Sequence, residues 1–170
     1  MSLDQLWNGW RTQYVGQGTA DASDDSQSVF TRILNLQMSD EETHIVHRSA
    51  HSFVILNAYP YSSGHLLVLP FREVAHLEEL EPEESLDLWQ NVTHATVALK
   101  KSHTPDALNV GINLGAAAGG SIARHLHVHV VPRWNGDSNF MTSVADTRTI
   151  PEPLSLTASK VRAAWPKGDQ

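Results

Sequence analysis

Five consecutive residues, His125-Leu126-His127-Val128-His129, place an imidazole at every second position. In a strand, side chains at i, i+2 and i+4 share one face. Three imidazoles would then line one side, leaving Leu126, Val128 and Val130 for a core. Imidazole is the side chain whose ordinary pKa lies near neutrality. It serves as nucleophile, acid, base or metal ligand.

Three readings compete. A strand that merely contains three histidines would have to bury unpaired polar rings, which is costly. A metal site is the second reading, since His-x-His on a strand can bring two nitrogens to one ion. Gly119-x5-His125-x-His127 fits the first half of the cupin metal motif, but the glutamate that motif needs falls on Val131 or Pro132. The third reading is a nucleophilic histidine, supported by two others, beside an anion-binding loop. Gly115-Ala116-Ala117-Ala118-Gly119-Gly120-Ser121 precedes the histidines and carries almost no side chains. Its amides could approach phosphate oxygens closely. A tight turn requiring positive φ explains the same glycines equally well.

These residues need a scaffold. A chain of 170 residues suits one domain with a real core. Hydrophobic content is 41% and formal charge is −7, so a broad electrostatic grip on nucleic acid is not expected. The chain has no cysteine, which excludes disulfides and thiolate zinc sites and leaves the redox compartment undetermined. The start, Met1–Asp4, shows no apolar signal-peptide core, and no run approaches the ~18 apolar residues of a membrane span. The expectation is a soluble cytoplasmic protein with no membrane partner.

Residues 1–27 read as an aromatic arm (Leu6, Trp7, Trp10, Tyr14) followed by a flexible loop, 28–165 as the domain, and 166–170 as a tail. Ser28–Leu36 is a short helix or turn. Ser52–Asn57 and His65–Pro70 are apolar, β-branched segments around a turn, a hairpin pattern. Glu81-Pro82-Glu83-Glu84 opens a helix whose apolar face is expected at Leu86, Trp89, Val92, Thr96 and Leu99, with Lys100-Lys101 near its end. A strand (Ala107–Leu114), the small-residue loop, the histidine strand and a last helix (Leu154–Trp165) follow. Strand–strand–helix–strand–strand is an α+β pattern.

His-φ-His-φ-His-φ-φ resembles the signature of the histidine triad (HIT) nucleotide hydrolases and transferases. Phe53-Val54-Ile55-Leu56-Asn57 through Pro60 and Gly64-His65-Leu66-Leu67-Val68 resembles that family's nucleotide-binding hairpin. Leu6-Trp7-x-x-Trp10-Arg11-x-x-Tyr14, Val131-Pro132-Arg133-Trp134-Asn135-Gly136-Asp137-Ser138-Asn139-Phe140-Met141 and Thr147-Arg148-Thr149-Ile150-Pro151-Glu152 are similar to the branch with bacterial diadenosine tetraphosphate phosphorylases.

The resemblance implies a HIT-like fold, an antiparallel sheet with packed helices, and a homodimer joining two sheets. It implies His127 as nucleophile on an α-phosphate, its tautomer set by a backbone carbonyl. It gives His129 the α-phosphate oxygens and His125 a part in organising the site and leaving group. It assigns nucleotide or phosphate contacts to Asn57, His65, Asn113, Gly119, Gly120 and Ser121. Ser121 stands where many relatives carry a phosphate-contacting Gln. Phe53, Leu56 and Leu66 are candidate walls for the base. Bland readings stand beside these: His65 closing a turn, Asn57 bonding its own backbone, Trp134 packing.

The implied reaction is nucleotidyl transfer from diadenosine tetraphosphate, with phosphate as acceptor. The alternatives are water as acceptor on dinucleoside polyphosphates or nucleoside phosphoramidates, or a non-catalytic nucleotide-binding module. No cofactor is required; magnesium can accompany the polyphosphate. Many relatives carry a structural zinc on Cys-x-x-Cys and two histidines. Here the matching positions are Ser28-Val29-Phe30-Thr31 and Glu73, so that zinc is expected to be absent and packing around Phe30 to hold the segment.

Overall fold

The computed structural model describes residues 4–5, 27–118, 122–137, 147–148 and 150–167. The aromatic arm, the second half of the glycine loop (Gly119, Gly120, Ser121) and residues 138–146 lie outside them.

Five strands form one antiparallel sheet: β2 (Ile45–Arg48), β3 (Ser52–Leu56), β4 (Leu66–Pro70), β5 (Ala107–Ile112) and β6 (Val128–Arg133), in the order β2-β3-β4-β6-β5. A separate two-residue pairing joins β1 (Asp4–Gln5) to β7 (Thr147–Arg148). The hairpin β3–β4 matches the expected pair of apolar segments. Its turn needs Gly64, whose φ is +84° and where a Cβ would stand 2.9 Å from Leu99 and 3.2 Å from Pro132. The Ser62 hydroxyl donates to the Pro132 carbonyl at 2.6 Å, tying the turn to β6.

Helix α3 (Pro82–His103) begins with Pro at its first position, and the Glu81 N–H donates to Glu84 at 2.9 Å. Its buried face is Leu88, Val92, Ala95 and Leu99, with Ala98 beside it. The expected face was thus partly displaced: Leu86 and Trp89 are 67% and 44% exposed. The two stripes share Val92 and Leu99, and the small Ala95 and Ala98 let the helix approach the sheet. Helix α4 (Leu154–Ala164) packs beside it. Together they cover one sheet face, burying Val54, Leu56, Leu66, Val68, Val128 and Val130.

The other face carries Phe53, Ile55, Leu67 and Leu69, covered by α1 (Val29–Asn35) through Phe30 and Ile33. The short α2 (Asp40–Thr43) starts at a Ser39 capping box and leads into β2 through His44, whose φ is +60°. Strand alternation assigns every strand side chain to one face or the other. His129 sits opposite Leu67 in the ladder and belongs to the α1 face.

Candidate active site

The ladder of β6 begins at Val128, so only part of the triad lies in a strand. Pro70, at the end of β4, has no N–H to offer where the pairing would extend toward Leu126. His125 therefore precedes the sheet. Leu126 is held instead by donating its N–H to the Val74 carbonyl at 2.6 Å.

His127 is 7% exposed. Its Nδ1–H donates to the His125 carbonyl at 2.8 Å. A carbonyl only accepts, so the proton is on Nδ1 and the lone pair is on Nε2. That is the tautomer a nucleophile requires, and it is fixed by the backbone contact the family resemblance implied.

His129 is set by a second chain of bonds. The Tyr61 N–H donates to His65 Nδ1 at 3.1 Å, and the Asn57 amide lies 3.3 Å from the same nitrogen. Nδ1 of His65 must accept, so its proton sits on Nε2, which donates to His129 Nδ1 at 2.9 Å. His129 in turn carries its proton on Nε2. That buried N–H has no hydrogen-bond partner among the described residues. Burial, with His127 adjacent, pushes the His129 pKa down to about 4, so the ring is a neutral donor near pH 7. The two rings stand 4.9 Å apart, centroid to centroid.

His125 is wholly buried and both its nitrogens are engaged. The Ser28 hydroxyl donates to Nδ1 at 2.7 Å, and Nε2–H donates to the Pro70 carbonyl at 2.9 Å. Burial chiefly lowers its pKa. Neither ring nitrogen of His125 is left to touch a substrate, and the group it turns toward His127 is its carbonyl.

A cleft of about 550 Å³ opens beside His129 on the α1 face, between Tyr61 and β5. Gly111 lies opposite His129 in the ladder, and no atom approaches within 4 Å of where its Cβ would be, so the cleft stays open there. Asn113 lines it. Asn57 and His65 do not. Asn57 Oδ1 accepts the Tyr59 N–H at 2.9 Å, closing the turn, and His65 is wholly buried behind His129. Leu56 and Leu66 are corrected as base walls, since they point into the helix-side core. Phe53 is on the histidine side but wholly buried, stacked on Phe71 at 5.4 Å.

Sequence reasoning missed Tyr61, half exposed and 4.6 Å from the His65 ring, centroid to centroid. It also assigned no role to Arg133, which grips Asp137 at 2.6 and 2.8 Å and donates to Asn109 at 3.0 Å along the cleft wall. The i,i+4 spacing of Arg133 and Asp137 was the available signal.

Ser28, Thr31, Glu73 and His125 converge where the family's structural zinc would be held. The donors are two hydroxyls, a carboxylate already bonded to Ser28, Thr31 and Arg124, and an imidazole engaged on both sides. They do not fit a zinc ion, which takes thiolates, free imidazole nitrogens or free carboxylates. Among the described residues no three His, Asp or Glu side chains are gathered to hold a metal. No helix among them is long and apolar enough to cross a membrane.

Paired imidazoles on an antiparallel sheet packed with helices define an α+β protein of the histidine-triad type. The family model described as the HIT domain matches residues 39–136. The chain belongs to the HIT-domain family. A Mycobacterium tuberculosis protein named AP-4-A phosphorylase is 41% identical over 167 residues, covering 96% of this chain and 85% of that protein. A bis(5'-nucleosyl)-tetraphosphatase (asymmetrical) of Schizosaccharomyces pombe is 35% identical over 95 residues, 56% of this chain and 52% of its own. Among solved structures, a zinc-bound histidine triad family protein from Mycobacterium smegmatis superposes with TM-score 0.66 at 28% identity, covering 82% of this chain and 93% of its own.

Proposed function

We propose that this chain is a nucleotidyltransferase that cleaves diadenosine tetraphosphate, with orthophosphate as acceptor. Nε2 of His127 attacks the α-phosphorus and the bridging oxygen leaves with ATP. The adenylyl group is then bound to His127 through a P–N bond. An orthophosphate oxygen attacks that phosphorus, the P–N bond breaks, and ADP is formed. One difficult displacement becomes two easier ones.

The observation that carries this reading is the pairing of His127, with its lone pair on Nε2, and His129, with a buried N–H that has no partner among the described residues. An unmet buried donor costs about 1–3 kcal/mol. An anionic phosphate oxygen would satisfy it, and more strongly as charge develops in the transition state. The name of the M. tuberculosis relative, which aligns over nearly the whole chain, supports the acceptor. The tetraphosphatase relative supports the second reading, the same nucleophile with water as acceptor. Magnesium enters only with the polyphosphate.

The functional unit in this proposal is a homodimer. Strand β5 ends the sheet, bonded to β6 on one side, and Val110 on it is 44% exposed. A free edge strand is a template for a second copy.

The test is product analysis on diadenosine tetraphosphate with and without orthophosphate. ADP plus ATP, formed only with orthophosphate, supports the phosphorylase. AMP plus ATP, indifferent to orthophosphate, replaces it with the hydrolase. No turnover, with binding retained, would leave a nucleotide-binding module.

A further inference from the structure

We propose that Ser28, Thr31 and Glu73 are positioning residues that hold the nucleophile His127 through His125, by hydrogen bonds alone. The inference rests on His127 being the nucleophile and names what keeps it in register.

The peptide of His125 needs such a device because it lies outside the sheet ladder, which begins at Val128. Its carbonyl nevertheless has to face His127 Nδ1 at 2.8 Å. Two bonds to the imidazole ring, from Ser28 and to Pro70, remove the rotation that would carry the carbonyl away. Ser28 is itself fixed. Its hydroxyl accepts the Thr31 N–H at 3.1 Å as the cap of α1, and its own N–H donates to Glu73 Oε2 at 2.9 Å. The Thr31 hydroxyl donates to the same carboxylate oxygen at 2.5 Å. The other oxygen, Oε1, pairs with Arg124 at 3.1 Å, the residue next to His125. Glu73 therefore grips both the start of α1 and the segment that delivers the triad.

Ser28 and Glu73 are 45 residues apart, and Ser28 and His125 are 97 apart. Three separate stretches of chain meet at one carboxylate and one hydroxyl. Phe30, between Ser28 and Thr31, adds ring contacts at 5.7 Å to both His125 and His127. Packing around Phe30 accompanies this hydrogen-bonded clamp.

Breaking the clamp would free the His125 carbonyl and with it the tautomer of His127. A histidine whose Nδ1–H loses its acceptor no longer has its lone pair confined to Nε2. The loss should appear in turnover, because the substrate-binding cleft is formed by other residues.

The experiment compares wild type with Ser28→Ala, Thr31→Val and Glu73→Ala, and with the conservative Thr31→Ser. Long-range proton–nitrogen spectra of the imidazoles report the His127 tautomer in the free protein, and kcat and KM are measured on diadenosine tetraphosphate. The expected result is a single Nδ1–H tautomer for His127 in wild type and Thr31→Ser. Mixed tautomers are expected in the other three, with kcat at least about ten-fold lower and KM within about two-fold. Should Glu73→Ala fail to fold, Ser28→Ala carries the same test. Ser28→Ala and Glu73→Ala that keep the single tautomer and wild-type kcat would overturn the proposal. So would stoichiometric zinc at residues 28–31 in the purified protein. If wild type does not turn over this substrate, the functional proposal fails while the spectra still judge the clamp.

Discussion

Nε2 of His65 lies 2.9 Å from Nδ1 of His129, and through that contact a backbone N–H four residues before His65 selects the His129 tautomer. The chain Tyr61 N–H, His65, His129 transmits a donor through two neutral rings. It delivers an N–H beside His127 that nothing among the described residues accepts.

Removing either ring should therefore reduce turnover unequally. His129→Ala deletes the donor, and kcat should fall by about 10²–10³-fold, as for loss of one oxyanion-hole donor. His65→Leu leaves the donor ring present but unfixed, so a smaller fall in kcat is expected, with KM little changed. Steady-state kinetics of the two variants and the double variant checks this. A double variant no worse than His129→Ala shows that His65 acts through His129.

Acid should destabilise the fold. Burial lowers the pKa of His44, His47, His125 and His129, in the last case to about 4. The unfolded chain takes up protons at these groups from about pH 6.5 downward while the native state does not. Over that interval the unfolded state binds more protons, so stability rises with pH and is lost as pH falls from about 6.5 toward 4. Denaturant midpoints measured between pH 7.5 and 4.5 should fall across this window. A flat profile would contradict the buried neutral rings.

The exposed edge of β5 should mediate self-association. Val110→Asp places a charge on that strand, at a residue that also lines the cleft, so the variant is read by its association state alone. Light scattering should report a dimer for wild type at micromolar concentration and a monomer for the variant. Wild type as a monomer would remove the homodimer from the account.

The sheet and its helices were legible because their signals are local. Apolar, β-branched runs marked β3 and β4, alternating histidines marked β6, and Pro82 with the following acids marked the start of α3. The face of α3 was less so, since two helical stripes share Val92 and Leu99. Only packing shows that small Ala95 and Ala98, rather than Leu86 and Trp89, meet the sheet. The core of the site, His127 with His129, followed from spacing. The place of His125 did not, because the missing N–H of Pro70 stops the ladder on a neighbouring strand. Leu56 was assigned to the wrong face for want of register, which pairs it with Leu66 beneath the helices. The family resemblance set Ser28, Thr31 and Glu73 at one site, but their hydrogen bonds to one another and to His125 join stretches that only the folded chain brings together.

The most direct test of the central claim is the intact mass of the protein mixed with diadenosine tetraphosphate in the absence of orthophosphate. It is quenched rapidly under alkaline denaturing conditions, since a P–N bond to imidazole is acid-labile. The account predicts one added adenylyl group on wild type, located at His127, discharged as ADP when orthophosphate is added, and absent from His127→Ala. Turnover with no adduct at any quench time, together with an active His127→Ala variant, would contradict it.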